Sequence, residues 1–307
     1  MISGYLAMIA TLLLWSGFFL SLRSGAHSDL TTADIALTRF LIPCLILLPL
    51  VIKNAPSIRS VPTRYLLGMF IGCGLPYLFI AGSGMKLAPV SDGSALIPGT
   101  LPLFVSGIAV FLFKQPLSQH RIIGLAMVVV GILAFLSQSL GHLNTELLQG
   151  HLLFLLGSLM WATFTICARV SNLNPLVAAG FISLISSFIL IGLIVTDVLP
   201  SHLAATESKN WPWKELLGHI TLQGIGAGVI AAFTYLHAIA VLGAERTAAF
   251  GAATPAIATI LAIPVFGEQP AIIGWLALSL VCIGSLIASN IFMKQDSSLL
   301  YEPPKFK

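Results

Sequence analysis

The chain states one pattern twice. Gly4, Trp15 and Arg23 stand eleven and eight residues apart in an apolar stretch, and Gly150, Trp161 and Arg169 repeat both spacings 146 residues later. Pro102, Gln115 and Gly131 are echoed by Pro255, Glu268 and Gly284, each displaced by 153. A repeat of this length is half of a 307-residue chain. Each half reads as five membrane spans. Five is odd, so the second half must enter the membrane inverted relative to the first. Inverted repeats of this kind build secondary transporters, with the substrate site between the halves near mid-membrane.

Composition fixes the solvent. Hydrophobic residues make up 57% of the chain and charged residues 8%, against roughly 25% charged in soluble domains, so the lipid bilayer is the expected surroundings. The net charge of +4 is spread singly through short loops. It forms no basic patch, so no nucleic-acid partner is expected. Cys44, Cys73, Cys167 and Cys282 lie in apolar segments without ligand spacing and read as small buried hydrophobes. The first apolar stretch has no basic n-region and matches the internal segment around Trp161, so it reads as a retained helix and not a signal peptide.

Runs long enough to cross ~30 Å of hydrocarbon are expected at 3–22, 31–52, 65–86, 90–113, 120–138, 150–169, 174–196, 214–241, 246–267 and 270–293. The fold class is therefore an all-α polytopic membrane protein of ten transmembrane helices in two inverted five-helix repeats. Residues 1–140 form the first repeat, 147–294 the second, and 295–307 a mobile cytoplasmic tail. With the N-terminus inside, ten Lys and Arg residues fall on the cytoplasmic side, and only Arg23, Lys86, Lys209 and Lys214 on the other. That asymmetry favours an inner-membrane protein with both termini cytoplasmic. The loop at 197–213, with Trp211 and Trp213, is expected to be partly ordered at the interface. Gly68 with Gly72, and Gly224 with Gly228, predict close helix packing. Pro98 and Pro102 in span four, and Pro255 and Pro264 in span nine, predict kinks at matching places in the two halves.

These residues resemble the EamA-type domains of the drug/metabolite transporter superfamily. The resemblance rests on an early tryptophan, a proline in the fourth helix, a Gly-Glu pair some thirteen residues later, and spaced glycines in the fifth. The second half carries Pro255, Gly267-Glu268 and Gly284; the first carries Pro102, Lys114-Gln115, Gly124 and Gly131. The first half thus departs at the Gly-Glu pair, and Ala277 replaces the earlier glycine of the second. The resemblance implies export or exchange of small polar or amphipathic metabolites, often amino acids, without ATP hydrolysis.

Transport needs a cavity with fitting polar groups and no bond chemistry, so no cofactor and no metal is expected, and the partner is a small-molecule substrate. Nothing in the pattern requires more than one copy of the chain; a monomer is compatible with it. The candidates are polar and aromatic residues deep in spans: Trp15, Arg39, Tyr77, Phe79, Trp161, Tyr235 and His237. Trp15, Trp161, Tyr77, Tyr235 and His237 are expected to face one central chamber. The competing reading for each aromatic is belt placement or core packing. Arg39 reads either as the partner of Asp34 near a helix end or as a guanidinium fork for a substrate carboxylate. His151 reads as interfacial, and Asp92 and Glu245 as helix caps. The alternative function is a membrane-embedded enzyme acting on a lipid or prenyl substrate. It would need acids or histidines clustered at one membrane face. The enzyme motifs GxSxG, HExxH and the P-loop are absent.

Overall fold

The structure is a computed structural model. It describes residues 1–141 and 143–289, without the side chains of residues 113, 141, 244, 245, 248 and 249. The expected tail at 295–307 and the side chain of Glu245 lie outside the described residues. Within them, everything is helix or connection. In chain order the helices are α1 (Ile2–Gly25), α2 (Thr32–Lys53), α3 (Ala55–Arg59), α4 (Thr63–Cys73), α5 (Leu75–Leu87), α6 (Val90–Leu96), α7 (Leu101–Phe113), α8 (Gln119–Gly141), α9 (Thr145–Ser171), α10 (Pro175–Val195), α11 (His202–Ala205), α12 (Trp213–His219), a π-helix (Ile220–Ile230), α13 (Ala231–Leu242), α14 (Ala244–Gly251), α15 (Thr254–Phe266) and α16 (Ile272–Ala288).

Eight stretches are long and apolar enough to span a membrane, and α15 and α16 are shorter apolar helices. The chain is a multi-pass membrane protein. Leu13, Leu45, Ile46, Val130, Leu133 and Phe188 stand exposed on these helices, which suits a lipid-facing surface.

Three of the expected spans are broken, and a fourth changes helix type along its length. The third breaks at Gly74, where the backbone turns extended between α4 and α5. The fourth breaks between α6 and α7, the eighth passes through the π-helix, and the ninth breaks between α14 and α15. The prolines were expected as kinks inside continuous helices. Pro102 and Pro255 instead stand in the first turns of α7 and α15, where a missing N–H and a fixed φ are no penalty. Only Pro264 sits inside its helix. The groups freed at the breaks find partners. The Leu75 N–H donates to Ser186 Oγ at 3.1 Å, and the Thr100 hydroxyl donates to Leu96 O at 2.5 Å.

Packing follows the repeat. The closest pairs are α8 on α16 and α2 on α10, followed by α9 on α4 and α5, and α1 on α13, the π-helix and α15. Shifted by half the chain, α8 exchanges with α16 and α2 with α10. The contact of α9 with α4 and α5 maps onto that of α1 with the π-helix and α13. The glycines expected to mediate close packing do so. Gly72 leaves room for Phe164 of α9, and Gly224 for Thr38 O and Ile42 of α2. The loop at 197–213 is ordered by Trp211 Nε1 donating to Thr206 O at 3.1 Å and Trp213 Nε1 to Ser208 O at 2.9 Å.

Between α8 and α16 the backbones nearly touch. A methyl group on Gly124 would lie 2.6 Å from Gly284 O, and one on Gly284 would lie 2.7 Å from Gly124 O. Such contact replaces the hydrophobic drive that lipid does not supply. A side chain here must separate the helices, at a cost of about 1–3 kcal/mol for overpacking. Gly284→Val should therefore lower the melting temperature of the purified protein. Gly192→Ala, where nothing lies within 4 Å, should leave it unchanged. Equal melting of the two variants would contradict this packing account.

Candidate functional site

The sequence candidates assemble into two aromatic pairs, each joining the two halves of the chain. Trp15 of α1 packs against Tyr235 of α13 with ring centroids 5.0 Å apart. Trp161 of α9 packs against Tyr77 of α5 at 6.1 Å. Each pair takes its tryptophan from one half and its tyrosine from the other. Tyr77 and Trp161 belong to the main core, whereas Tyr235 packs on a smaller cluster around Met8, Leu12, Ala238 and Leu242. Phe79 packs on the main core without joining either pair. His237 is exposed and has no partner among the described residues.

Arg39 is not held by Asp34. The Asp34 carboxylate caps α2 by accepting from the Thr31 N–H and hydroxyl. It also anchors the loop at 197–213, accepting from Ser201 Oγ at 2.5 Å and the His202 N–H at 2.9 Å. Its acceptor sites are spent one turn and more away from Arg39, which explains why the five-residue spacing does not give a pair. Arg39 is half-buried and has no acidic partner among the described residues. Its Nη1 donates weakly to Gln223 O of the π-helix at 3.4 Å, and its guanidinium lies 5.6 Å from the Phe18 ring. Tyr77 and Cys73 are within its electrostatic reach. Gln223 is fully buried; its Nε2 donates to Phe18 O, and its Oε1 has no partner. A guanidinium with spare donors and an amide oxygen with a spare acceptor thus stand together between α1, α2, α5 and the π-helix.

Buried hydroxyls mark the breaks. Ser16 Oγ of α1 donates to Thr254 O, and Ser94 Oγ of α6 donates to Pro255 O, both at 3.4 Å. Thr254 Oγ1 is buried without a partner. These contacts put α1, α6 and α15 around one polar seam. A cleft of ≈ 520 Å³ lies elsewhere, between Asp29–Thr31 and the loop at 197–205. None of the candidates lines it.

Two polar assemblies at the end where α1 finishes were not anticipated. Arg23 Nε donates to Glu268 Oε1 at 2.6 Å, and its Nη1 to Met85 O at 2.5 Å. Glu268 Oε2 accepts from the Val90 N–H at 2.9 Å. One ion pair therefore ties the ends of α1 and α5, the start of α6 and the turn after α15. The signal was present, since Arg23 and Glu268 both belong to the doubled pattern. The repeat-related Arg169 is exposed, and Arg169 and Gln115 form no such tie among the described residues. Beside this pair, His151, expected at the membrane interface, is fully buried in protein. Its Nε2 lies 2.8 Å from Asp92 Oδ2 and its Nδ1 2.9 Å from Ser139 Oγ. Asp92, expected as a cap, instead serves this histidine and Ser91. Acid, imidazole and hydroxyl stand in the order used by hydrolases, but Ser139 is 1% exposed and no substrate reaches it.

The profile of the EamA-like transporter family matches residues 2–137 and again 148–290. The chain belongs to the EamA-like transporter family. Its relatives include two proteins described as uncharacterized transporters. YoaV of Bacillus subtilis is 20% identical over 96% of this chain and 99% of its own length. YedA, an inner membrane transporter of Escherichia coli, is 24% identical over 92% of this chain and 89% of its own. A solved crystal structure shares the fold, with TM-score 0.60 and 21% identity over 93% of this chain and 96% of that one. Among EamA-like features, the Gly-Glu pair here acquires a physical role, because Glu268 is the acidic arm of the tie.

The Arg23–Glu268 pair is testable by a double-mutant cycle. Its side chains are 15% and 17% exposed, so solvent screens it only in part. Coupling of about 1–2 kcal/mol is expected from melting of Arg23→Ala, Glu268→Ala and the double variant. Additive effects would mean that the contact contributes nothing to stability.

Proposed function

We propose that this EamA-like protein exports or exchanges a small metabolite, an amino acid or related amphipathic compound, by alternating access. The proposed frame is ten spans in two inverted five-helix repeats, 1–140 and 147–294. It sits in the inner membrane with both termini cytoplasmic and, in that orientation, puts the Arg23–Glu268 tie at the outer end. Four observations support the frame: the doubled match to the family, helix pairs that exchange under the repeat, broken helices at corresponding places, and relatives described as transporters. The observation that carries the proposal is the unequal treatment of the two ends. An ion pair ties both halves at one end, while the repeat-related Arg169 and Gln115 form no such tie among the described residues. Alternating access requires two such ends that close in turn.

The substrate is proposed to lie between the aromatic pairs, with Trp15, Tyr77, Phe79, Trp161, Tyr235 and His237 in its surroundings and its carboxylate on Arg39. Support comes from the charge arithmetic. A guanidinium inside a span costs at least ~2.5 kcal/mol unless compensated, and among the described residues no carboxylate compensates it. Gln223 is fully buried here, so its unpartnered Oε1 would meet an ammonium or other N–H donor beside that carboxylate only in a state open to substrate.

Counterflow of labelled amino acids in proteoliposomes tests the proposal, after a melting screen has identified which of them stabilise the protein. Arg39→Lys keeps the charge and loses the planar fork. It should weaken substrate affinity by about 30-fold, on the scale of one binding hot spot of ~2 kcal/mol, while folded yield is kept. Unchanged counterflow in Arg39→Lys removes Arg39 from the site. Absence of counterflow for every stabilising ligand removes the transport reading.

A further inference from the structure

We propose that His151, held between Asp92 and Ser139, is a proton-binding site whose occupancy stabilises closure of the end tied by Arg23 and Glu268. The observation is a buried imidazole whose two partners suit both of its charge states. An ionised carboxylate only accepts, so Nε2–H donates to Asp92 Oδ2 across 2.8 Å. Nδ1 faces a hydroxyl at 2.9 Å, and a hydroxyl can donate to a bare ring nitrogen or accept from a protonated one. Gaining a proton therefore leaves both hydrogen bonds in place. A backbone partner would permit only one direction.

The charge balance gives the sign. The start of α6 brings two carboxylates together: Glu268 accepts from Val90 N, and Asp92 follows two residues later. One guanidinium, Arg23, stands against them. The assembly carries one uncompensated negative charge unless the imidazole is protonated. Its surroundings are apolar: Phe135 sits edge-on to the His151 ring at 5.9 Å, Ala88 lines Gly150, and Phe154 is fully buried. Burial of net charge is costly, whereas opening this end admits water that solvates an unbalanced carboxylate. The closed end thus takes up a proton and the opening end releases it. No other described titratable group intervenes. Lys86 on α5 and Glu146 on α9 are exposed, Tyr77 lies nearly three turns below Lys86 on α5, and α8 presents Ser139 and Phe135 to the ring.

The inference rests on reading this end as a gate, and its test needs no substrate. Spin labels are placed at the exposed Lys86 and Gln269, on opposite halves at this end, in a background lacking the four native cysteines. Their separation is measured by pulsed electron resonance between about pH 5 and 8, the interval in which imidazole changes charge. The separated population should grow as pH rises, by up to tenfold in the open-to-closed ratio per pH unit for one linked proton. His151→Gln can still donate to Asp92 but cannot take a proton, so its profile should be flat. Asp92→Asn removes the charge that the imidazolium balances, so by the same balance its slope should be flat or reversed. A flat profile in the unsubstituted labelled protein overturns the proposal, as does an undiminished slope in whichever of the two variants folds. A flat profile with counterflow intact defeats the proton site alone. A pH-dependent separation without counterflow for any ligand defeats the transport reading alone.

Discussion

In hydrocarbon there is no water to satisfy a backbone N–H or C=O, so every interruption of a helix must be repaid by protein. This constraint organises the molecule. The breaks at Gly74, at 97–100 and at 252–253 free backbone groups. Ser186 and Thr100 take some of them, and Ser16 and Ser94 bind carbonyls at the break before α15. A broken helix is tolerated only where other helices surround it, so the breaks are drawn into the region between the halves. The same region is where polar side chains can be kept. Arg39, Gln223 and Thr254 stand there because the discontinuous backbone has already made it polar.

Intact helices serve as the frame. α8 and α16 meet through Gly124, Gly131 and Gly284, with Ala277 small enough to complete the seam. α2 and α10 form the second such pair. Each of these four helices is unbroken, and each packs on its counterpart from the other half. These intact seams stand beside the interrupted helices and the polar region between the halves.

Much of this was legible in the sequence, because lipid makes the hydropathy signal strong and the repeat supplies an internal check. The glycine pairs anticipated close packing in spans three and eight but not the partners, α9 and α2, and the matched spacings singled out Trp15 and Trp161 without showing that each would pack on a tyrosine of the other half. Proline was legible as an interruption but not as a helix start, since the same residue serves both and only the flanking backbone decides. The π-helix was hidden in the alternating Gly224, Gly226 and Gly228, which also read as a packing face. Long-range polar contacts were not legible. His151 and Asp92 are 59 residues apart and share no periodic signal, and Asp34 serves the loop around Ser201, 167 residues away, in preference to an arginine five residues along its own helix.

The central claim is that the end tied by Arg23 and Glu268 must open in every cycle. The two side chains touch at 2.6 Å, so Arg23→Cys and Glu268→Cys, in a background without native cysteines, can be bridged by a short reducible bifunctional thiol reagent. Solute counterflow in proteoliposomes is then measured before bridging, after bridging and after reduction. The account predicts transport that stops with the bridge and returns when it is cleaved. Undiminished counterflow through the bridged protein would contradict it.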